Sequence, residues 1–319
     1  MESKLPTAIL SSVQYIKHDP GLGHPEKPAR IEAVMQRLRN QENLKPFLDY
    51  VEPRPATEAD LLRVHTPVYC QTVRRDVQSG ARDLSTGDTA ISEDSYHVAL
   101  LATGAALTAI DLVVSKKASN AFCVVRPPGH HASPNRGMGF CLFNSIAIAA
   151  RYGQAVHKLG KVLIADWDVH HGNGTQDTFY EDGSVLFFDT HQHPWYPGTG
   201  EAGENGSGKG LNCIINNPFP AGAGSKEIVG AFETKLVKAA QKFKPDLVLL
   251  SAGFDSRAGD PLGHFKLSDE DFARLTEIMS AIAKEHCEGR LVSLLEGGYS
   301  LEGLANAAVA HVGALTRHS

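Results

Sequence analysis

The chain is predicted to fold as one α/β domain, a buried parallel sheet with helices on both faces. Three observations predict it. Short apolar runs rich in β-branched residues recur, helical stretches alternate with them from end to end, and no repeat or low-complexity linker interrupts the alternation. The strand-like runs fall at 7–15, 121–126, 161–165, 185–189, 211–216, 246–251 and 291–295. Most are nearly continuous in apolar residues, as in Val162-Leu-Ile-Ala165, which is the pattern of strands covered on both faces. The helical stretches fall at 28–39, 67–79, 93–114, 142–158, 225–243, 268–285 and 301–316. Ser268, with Glu270 and Asp271 just after it, is a helix start, because its hydroxyl can take a free amide of the first turn. The stretch 191–210 is rich in Gly and Pro and too long for a simple connection, which marks it as functional. The domain is expected to span 1–319.

Composition narrows the classes. The 319 residues are 42% hydrophobic and 21% charged, ordinary for a soluble globular protein. A formal charge of −5 gives no electrostatic reason to expect direct binding to nucleic acid or to an anionic membrane. A membrane span needs about 20 apolar residues. The longest candidate, 98–114, is interrupted by Thr103, Gly104, Thr108 and Asp111 and reads as too short. The N-terminus carries Glu2 and Lys4 and lacks signal-peptide architecture. Five scattered cysteines (70, 123, 141, 213 and 287) fit reduced thiols, so a cytoplasmic location is expected.

The unusual residues cluster at the C-terminal ends of the predicted strands, the edge where open α/β sheets bind ligands. They are Arg126-Pro-Pro-Gly-His130-His131, Asp166-Trp-Asp168-Val-His170-His171, Ser251-Ala-Gly-Phe-Asp255 and Glu296-Gly-Gly-Tyr299. If the strand continues through them, Asp166, Asp168 and His170 face one way, since positions i, i+2 and i+4 share a side. Two carboxylates and an imidazole together are costly unless a cation sits among them. A divalent metal answers that, with Asp255 as a third protein ligand and an open position for water or substrate. Such ligands suit Zn2+, with Fe2+ or Mn2+ also compatible. The residue two beyond Asp255 is Arg257, not another carboxylate, so one catalytic metal is expected. His130 and His131, exposed by the turn Pro127-Pro128-Gly129, are candidates for general acid–base work. Asp166 could orient one of them. Tyr299, after two glycines, is placed to donate to a developing oxyanion. Gly203-Glu-Asn-Gly-Ser-Gly208-Lys209 imitates a phosphate-binding loop, but Gly210 stands where that loop needs Ser or Thr.

Taken in order, these motifs resemble the arginase–deacetylase superfamily, specifically the zinc-dependent histone-deacetylase-like amidohydrolases. His24-Pro-Glu-Lys-Pro-Ala-Arg30, Gly139-Phe-Cys-Leu-Phe-Asn144 and Tyr196-Pro-Gly-Thr-Gly200 join the four strand ends in that resemblance, which runs from about His18 to Ala307. It implies an eight-stranded parallel sheet and hydrolysis of an N-acyl amide. It assigns the metal to Asp168, His170 and Asp255, and acid–base work to His131 with electrostatic support from His130. It further implies that Tyr299 polarises the amide carbonyl with the metal, that Asp166 pairs with His130, and that Asn173 pairs with His131 where class I enzymes carry Asp. Asn173, the Glu-Gly-Gly-Tyr form and the His-Pro-Glu box favour the class II-like branch. Gly139, Phe140 and Tyr196 are implied to line a narrow channel, with Leu262 at its mouth. Structural K+ or Na+ is implied at oxygens of Asp166, Asp168, His170, Asp189 and Thr190, and a second ion at the Phe179 carbonyl; Asp189 stands where many relatives have Ser. The implied substrate is acyl-lysine in a protein or peptide. Acetylpolyamines or other small acylated amines are the alternative, but Leu262 follows Asp260-Pro261 where polyamine-preferring relatives carry Glu. A homo-oligomer is compatible with the sequence.

Overall fold

In a computed structural model, residues 5–317 are described; both ends of the expected domain lie just outside them. The eight strands are β1 (Thr7–Leu10), β2 (Leu48–Val51), β3 (Asn120–Cys123), β4 (Val162–Asp166), β5 (Val185–Gln192), β6 (Ile214–Phe219), β7 (Leu247–Ala252) and β8 (Leu291–Leu295). Every pairing is parallel, in the order β2-β1-β3-β8-β7-β4-β5-β6. Seven strands answer to the predicted runs. The eighth, β2, carries no apolar run because it is a half-exposed edge strand of four residues.

The helices are α1 (Ala29–Arg39), α2 (Glu58–Leu61), α3 (Pro67–Gln78), α4 (Ser95–Val114), α5 (Ser145–His157), α6 (Asn173–Phe179), α7 (Ser225–Ala231), α8 (Val237–Phe243), α9 (Asp269–Cys287) and α10 (Leu301–Arg317). A π-helical turn, Phe232–Leu236, joins α7 to α8. Ser268 caps α9 as expected, its Oγ accepting from Asp271 N at 3.3 Å while Asp271 Oδ2 accepts from Ser268 N at 2.8 Å. Strand order decides which face each helix covers. Crossovers toward β6 and crossovers toward β2 run in opposite directions, and a right-handed connection then puts them on opposite faces. So α4 and α5 lie on one face and α1, α7–α8 and α9 on the other, where α10 packs between α1 and α9.

One expectation from the sequence needs correcting. The stretch is not too short to span: the helix expected at 93–114 forms as α4, 20 residues that run without a break through Thr103, Gly104, Thr108 and Asp111. Its hydroxyls are satisfied internally, Thr108 Oγ1 donating to Gly104 O at 2.8 Å and Thr103 Oγ lying 3.0 Å from Ser145 Oγ. By length and composition α4 could cross a membrane, but 67% of that window is buried inside the domain. Its apolar character is that of a core helix.

Two histidines are built into this core as neutral groups. His311 on α10 lies between Thr276 Oγ1 (2.7 Å) and Ser293 Oγ (2.8 Å), and burial pushes its imidazole down to about 3. His65 sits between Ser133 O (3.1 Å) and Asn144 N (2.9 Å), and burial lowers it to about 4. The unfolded chain, with histidines near their ordinary 6.5, therefore binds more protons than the folded chain below that pH. Stability present above pH 6.5 should fall as pH is lowered, by about 1.4 kcal/mol per unit for each histidine. Urea unfolding between pH 6.5 and 5, with chelator present, measures it. His311→Gln should flatten the slope by one histidine's share, and an unfolding free energy independent of pH would contradict the assignment.

Candidate active site

Strand β4 ends at Asp166, so the alternation expected for Asp166, Asp168 and His170 is not what arranges them. The chain curls instead, because each acid takes an amide two residues ahead: Asp166 Oδ1 from Asp168 N at 3.0 Å, and Asp168 Oδ1 from His170 N at 2.9 Å. The curl sends Asp166 to one partner and Asp168 with His170 to another. Asp255 approaches the latter pair from the loop after β7, and Val169 N donates to its Oδ1 at 2.9 Å. Gly297, in the loop after β8, donates to Asp168 Oδ2 at 2.8 Å, and a Cβ on Gly297 would overlap Asp255 Oδ2. Only glycine lets that loop come so close.

Asp168, His170 and Asp255 offer ligand atoms within 4.8 Å of one another, the one such group of three among the described residues. All three are buried. His170 Nδ1 lies 3.0 Å from Asp168 Oδ1 and 3.2 Å from Asp255 Oδ2. Asp255 Oδ2 has no aligned hydrogen-bond donor and is sealed from solvent. Burial and the Asp168 charge push Asp255 up to about 7. Burial works against the His170 cation, but the two carboxylates outweigh it and raise the ring to about 10. A proton on His170 and a divalent cation therefore compete for the same groups. This donor set fits a metal ion.

The paired histidines stand beside it, their ring centroids 4.1 Å apart. His130 Nδ1 meets Asp166 Oδ2 at 2.9 Å. Burial lowers this ring, but the Asp166 and Asp168 charges prevail and hold it well above the usual histidine range. His131 Nδ1 meets Asn173 Oδ1 at 2.8 Å. Burial, helped by the charges of His130 and His170, holds His131 well below that range. Two adjacent imidazoles are thus driven apart, one toward the cation and one toward the neutral base. Glu296, whose role the sequence did not reveal, anchors the turn that carries them by accepting from Gly129 N (2.6 Å) and His130 N (3.1 Å).

Tyr299 closes the site from the Gly-Gly loop. Burial keeps its phenol protonated, well above the usual range. The fully buried Arg30 guanidinium lies 4.9 Å from its ring centroid. Phe140 meets the Tyr299 ring edge-on at 6.0 Å, and Tyr196 meets the rings of His131 (5.2 Å) and His170 (6.2 Å). Gly139 presses on His131 so closely that a Cβ would overlap the ring. Gly139, Phe140 and Tyr196 therefore do gather around the histidines. Leu262 is half-buried farther out, its carbonyl accepting from Trp195 Nε1 at 2.9 Å. Arg257 turns outward to Asp269 at 2.7 Å. Asp88 was missed in the sequence: an exposed carboxylate, it takes Gly139 N at 2.8 Å and Tyr196 OH at 3.1 Å.

The residues implied for monovalent cations are partly together. Asp166 pairs with Asp189 across β4 and β5, and Thr190 Oγ1 reaches Asp166 O at 3.4 Å. The Asp189 carboxylate is already occupied by Gly172 N (2.8 Å) and His191 Nδ1 (2.8 Å). The Phe179 carbonyl, at the end of α6, accepts from Asp182 N at 3.0 Å.

Comparison with known proteins agrees with this geometry. A family model described as "Histone deacetylase domain" matches residues 24–315. A "Probable deacetylase" of Archaeoglobus fulgidus is 39% identical over 302 residues, covering 93% of this chain and 82% of that protein. "Polyamine deacetylase HDAC10" of Homo sapiens is 39% identical over 291 residues, covering 88% of this chain and 43% of that one. The solved HDA15 HD domain superposes with a TM-score of 0.92 at 35% identity, covering 99% of this chain and 89% of that one. With its eight-stranded parallel sheet, its buried Asp-His-Asp group and these relatives, the chain belongs to the histone deacetylase family.

Proposed function

We propose that the chain is a metal-dependent deacylase that hydrolyses the amide between an acyl group and a lysine side chain in a protein or peptide. One observation carries this reading. The Asp168–His170–Asp255 group, a neutral imidazole and a protonated phenol converge behind aromatic walls. Two carboxylates and one imidazole suit Zn2+, and Fe2+ is compatible. When bound, the ion supplies Lewis-acid polarisation of the amide carbonyl and makes water more acidic.

The chain's own groups do the rest. His131, with Nδ1 turned to the Asn173 oxygen, takes a proton from the attacking water at Nε2 and returns it to the departing amine. Tyr299 donates from its hydroxyl to the carbonyl oxygen as that oxygen gains charge. His130, fixed by Asp166, adds positive charge nearby. The products are a carboxylate and a free amine. A K+ or Na+ ion beneath the site is part of this proposal, supported by the adjacency of Asp166, Asp189 and Thr190. Five free thiols, four of them buried, suit a reducing compartment such as the cytoplasm.

An aromatic slot accepts the apolar stem of lysine, and Leu262 offers no charge to a second amine. The alternative, a small acylated polyamine, is favoured by Asp88, an exposed anion on the outer hydroxyl of Tyr196. A rate comparison separates them. Acetyl-lysine peptide should be turned over faster than acetylputrescine; the reverse order would select the polyamine reading. Chelation should abolish turnover, and re-addition of Zn2+ should restore it. Asp255→Ala should lower both metal content and turnover, the latter by about a hundredfold or more, since even the partners of metal ligands cost 10- to 100-fold. Full turnover by that variant would overturn the site.

A further inference from the structure

We propose that Asp260 is a positioning residue for Tyr299, its carboxylate setting both the phenol and the channel rim; this rests on the reading of Tyr299 as the hydrogen-bond donor to substrate. Asp260 is buried, 8% exposed, on the loop that carries Asp255. Its Oδ2 accepts from Tyr299 N at 2.7 Å and Ser300 N at 3.1 Å. Its Oδ1 accepts from Leu262 N at 2.9 Å. One carboxylate thus joins three amides from the neighbouring loops that follow β7 and β8.

The need for such a clamp follows from the residues around Tyr299. The ring is packed by Arg30 and Phe140, but where it points depends on the backbone before it. That backbone is Gly297-Gly298, with Gly298 at φ +116, and glycine moves readily among such conformations. Hydrogen bonds take the place of side-chain anchors. Arg30 holds the carbonyls of Glu296 (2.5 Å) and Gly298 (2.7 Å), and Asp168 holds Gly297 N. Beyond Gly298, Asp260 is the side chain that takes the amides of Tyr299 and Ser300. Those amides lie immediately before α10, whose first residue is Leu301, so the carboxylate sits beside the positive end of that helix. A displacement of about 1 Å at a reacting group can cost a hundredfold in rate.

An amide at position 260 is not equivalent. Its one oxygen can serve Tyr299 and Ser300, but its NH2 then confronts the N–H of Leu262, donor against donor. Asp260→Asn should therefore keep most of kcat and raise KM, whereas Asp260→Ala should lower kcat about 10- to 100-fold. The deciding experiment is a double-mutant cycle of Asp260→Ala with Tyr299→Phe in metal-loaded protein on acetyl-lysine peptide. Metal content and melting temperature are measured for each variant. Acting through Tyr299, Asp260→Ala should cost no more than about twofold once the phenol is gone. An equal cost in both backgrounds, or an unchanged kcat in Asp260→Ala, overturns the role of Asp260 alone. Full activity in Tyr299→Phe overturns the reading of Tyr299 and this proposal with it. If Asp260→Ala does not fold, Asp260→Ser takes its place in the cycle under the same criteria.

Discussion

Buried negative charge is the constraint on which the site and its loops depend. Asp166, Asp168, Asp189, Asp255 and Glu296 are each no more than 1% exposed. An uncompensated buried carboxylate costs several kcal/mol. Backbone amides supply much of the compensation, and they come from other loops. Asp168 takes Gly297 N, Asp255 takes Val169 N, Glu296 takes Gly129 N and His130 N, and Asp189 takes Gly172 N. These four acids thereby tie one strand end to another, while Asp166 reaches another loop through the His130 ring. The charge the amides leave uncovered falls to His130, to His191, and at Asp168 and Asp255 to His170 or a divalent ion.

A second buried charge cluster supports the first from behind. Glu26 accepts from Arg30 at 3.1 Å and from both Nε (2.9 Å) and Nη2 (2.6 Å) of Arg126. Burial works against its charge, but Arg126 prevails and holds its carboxyl well below the usual range. Arg126 also donates to the carbonyls of Tyr15 and His18, while Arg30 spends its other donors on Glu296 and Gly298. Two fully buried guanidiniums are tolerable because so many of their N–H groups find an oxygen. The effect is to lock the His-Pro-Glu segment, the start of α1 and the Gly-Gly-Tyr loop into one body. In the sequence that segment was only a mark of resemblance; its physical task is to hold a loop some 270 residues away.

Fold class was legible because a parallel sheet buried on both faces is written in nearly continuous apolar runs, and seven of the eight strands answer to such predicted runs. The edge strand β2 and the depth of α4 were not, since both depend on neighbours. An edge strand needs only one covered side, and a polar group in a core helix is harmless once a carbonyl or hydroxyl meets it. The residue types of the site were legible for a chemical reason. Asp168, His170, Asp255, His130, His131 and Tyr299 are costly or unusual at the ends of apolar strands.

The sequence by itself determined the alternation of strand and helix, the chemical groups available, and the strand ends that carry them. The tertiary structure alone decided how those groups divide. The curl after β4 separates Asp166 from Asp168 and His170, giving one acid to His130 and the other to the Asp168–His170–Asp255 group. It likewise decided that Asp88, Asp260 and Glu296, whose partners no local pattern reveals, stand against Tyr196, Tyr299 and His130. The reason is that a hydrogen bond or an ion pair is set by distances of about 3 Å between atoms far apart in the chain, which local periodicity does not encode.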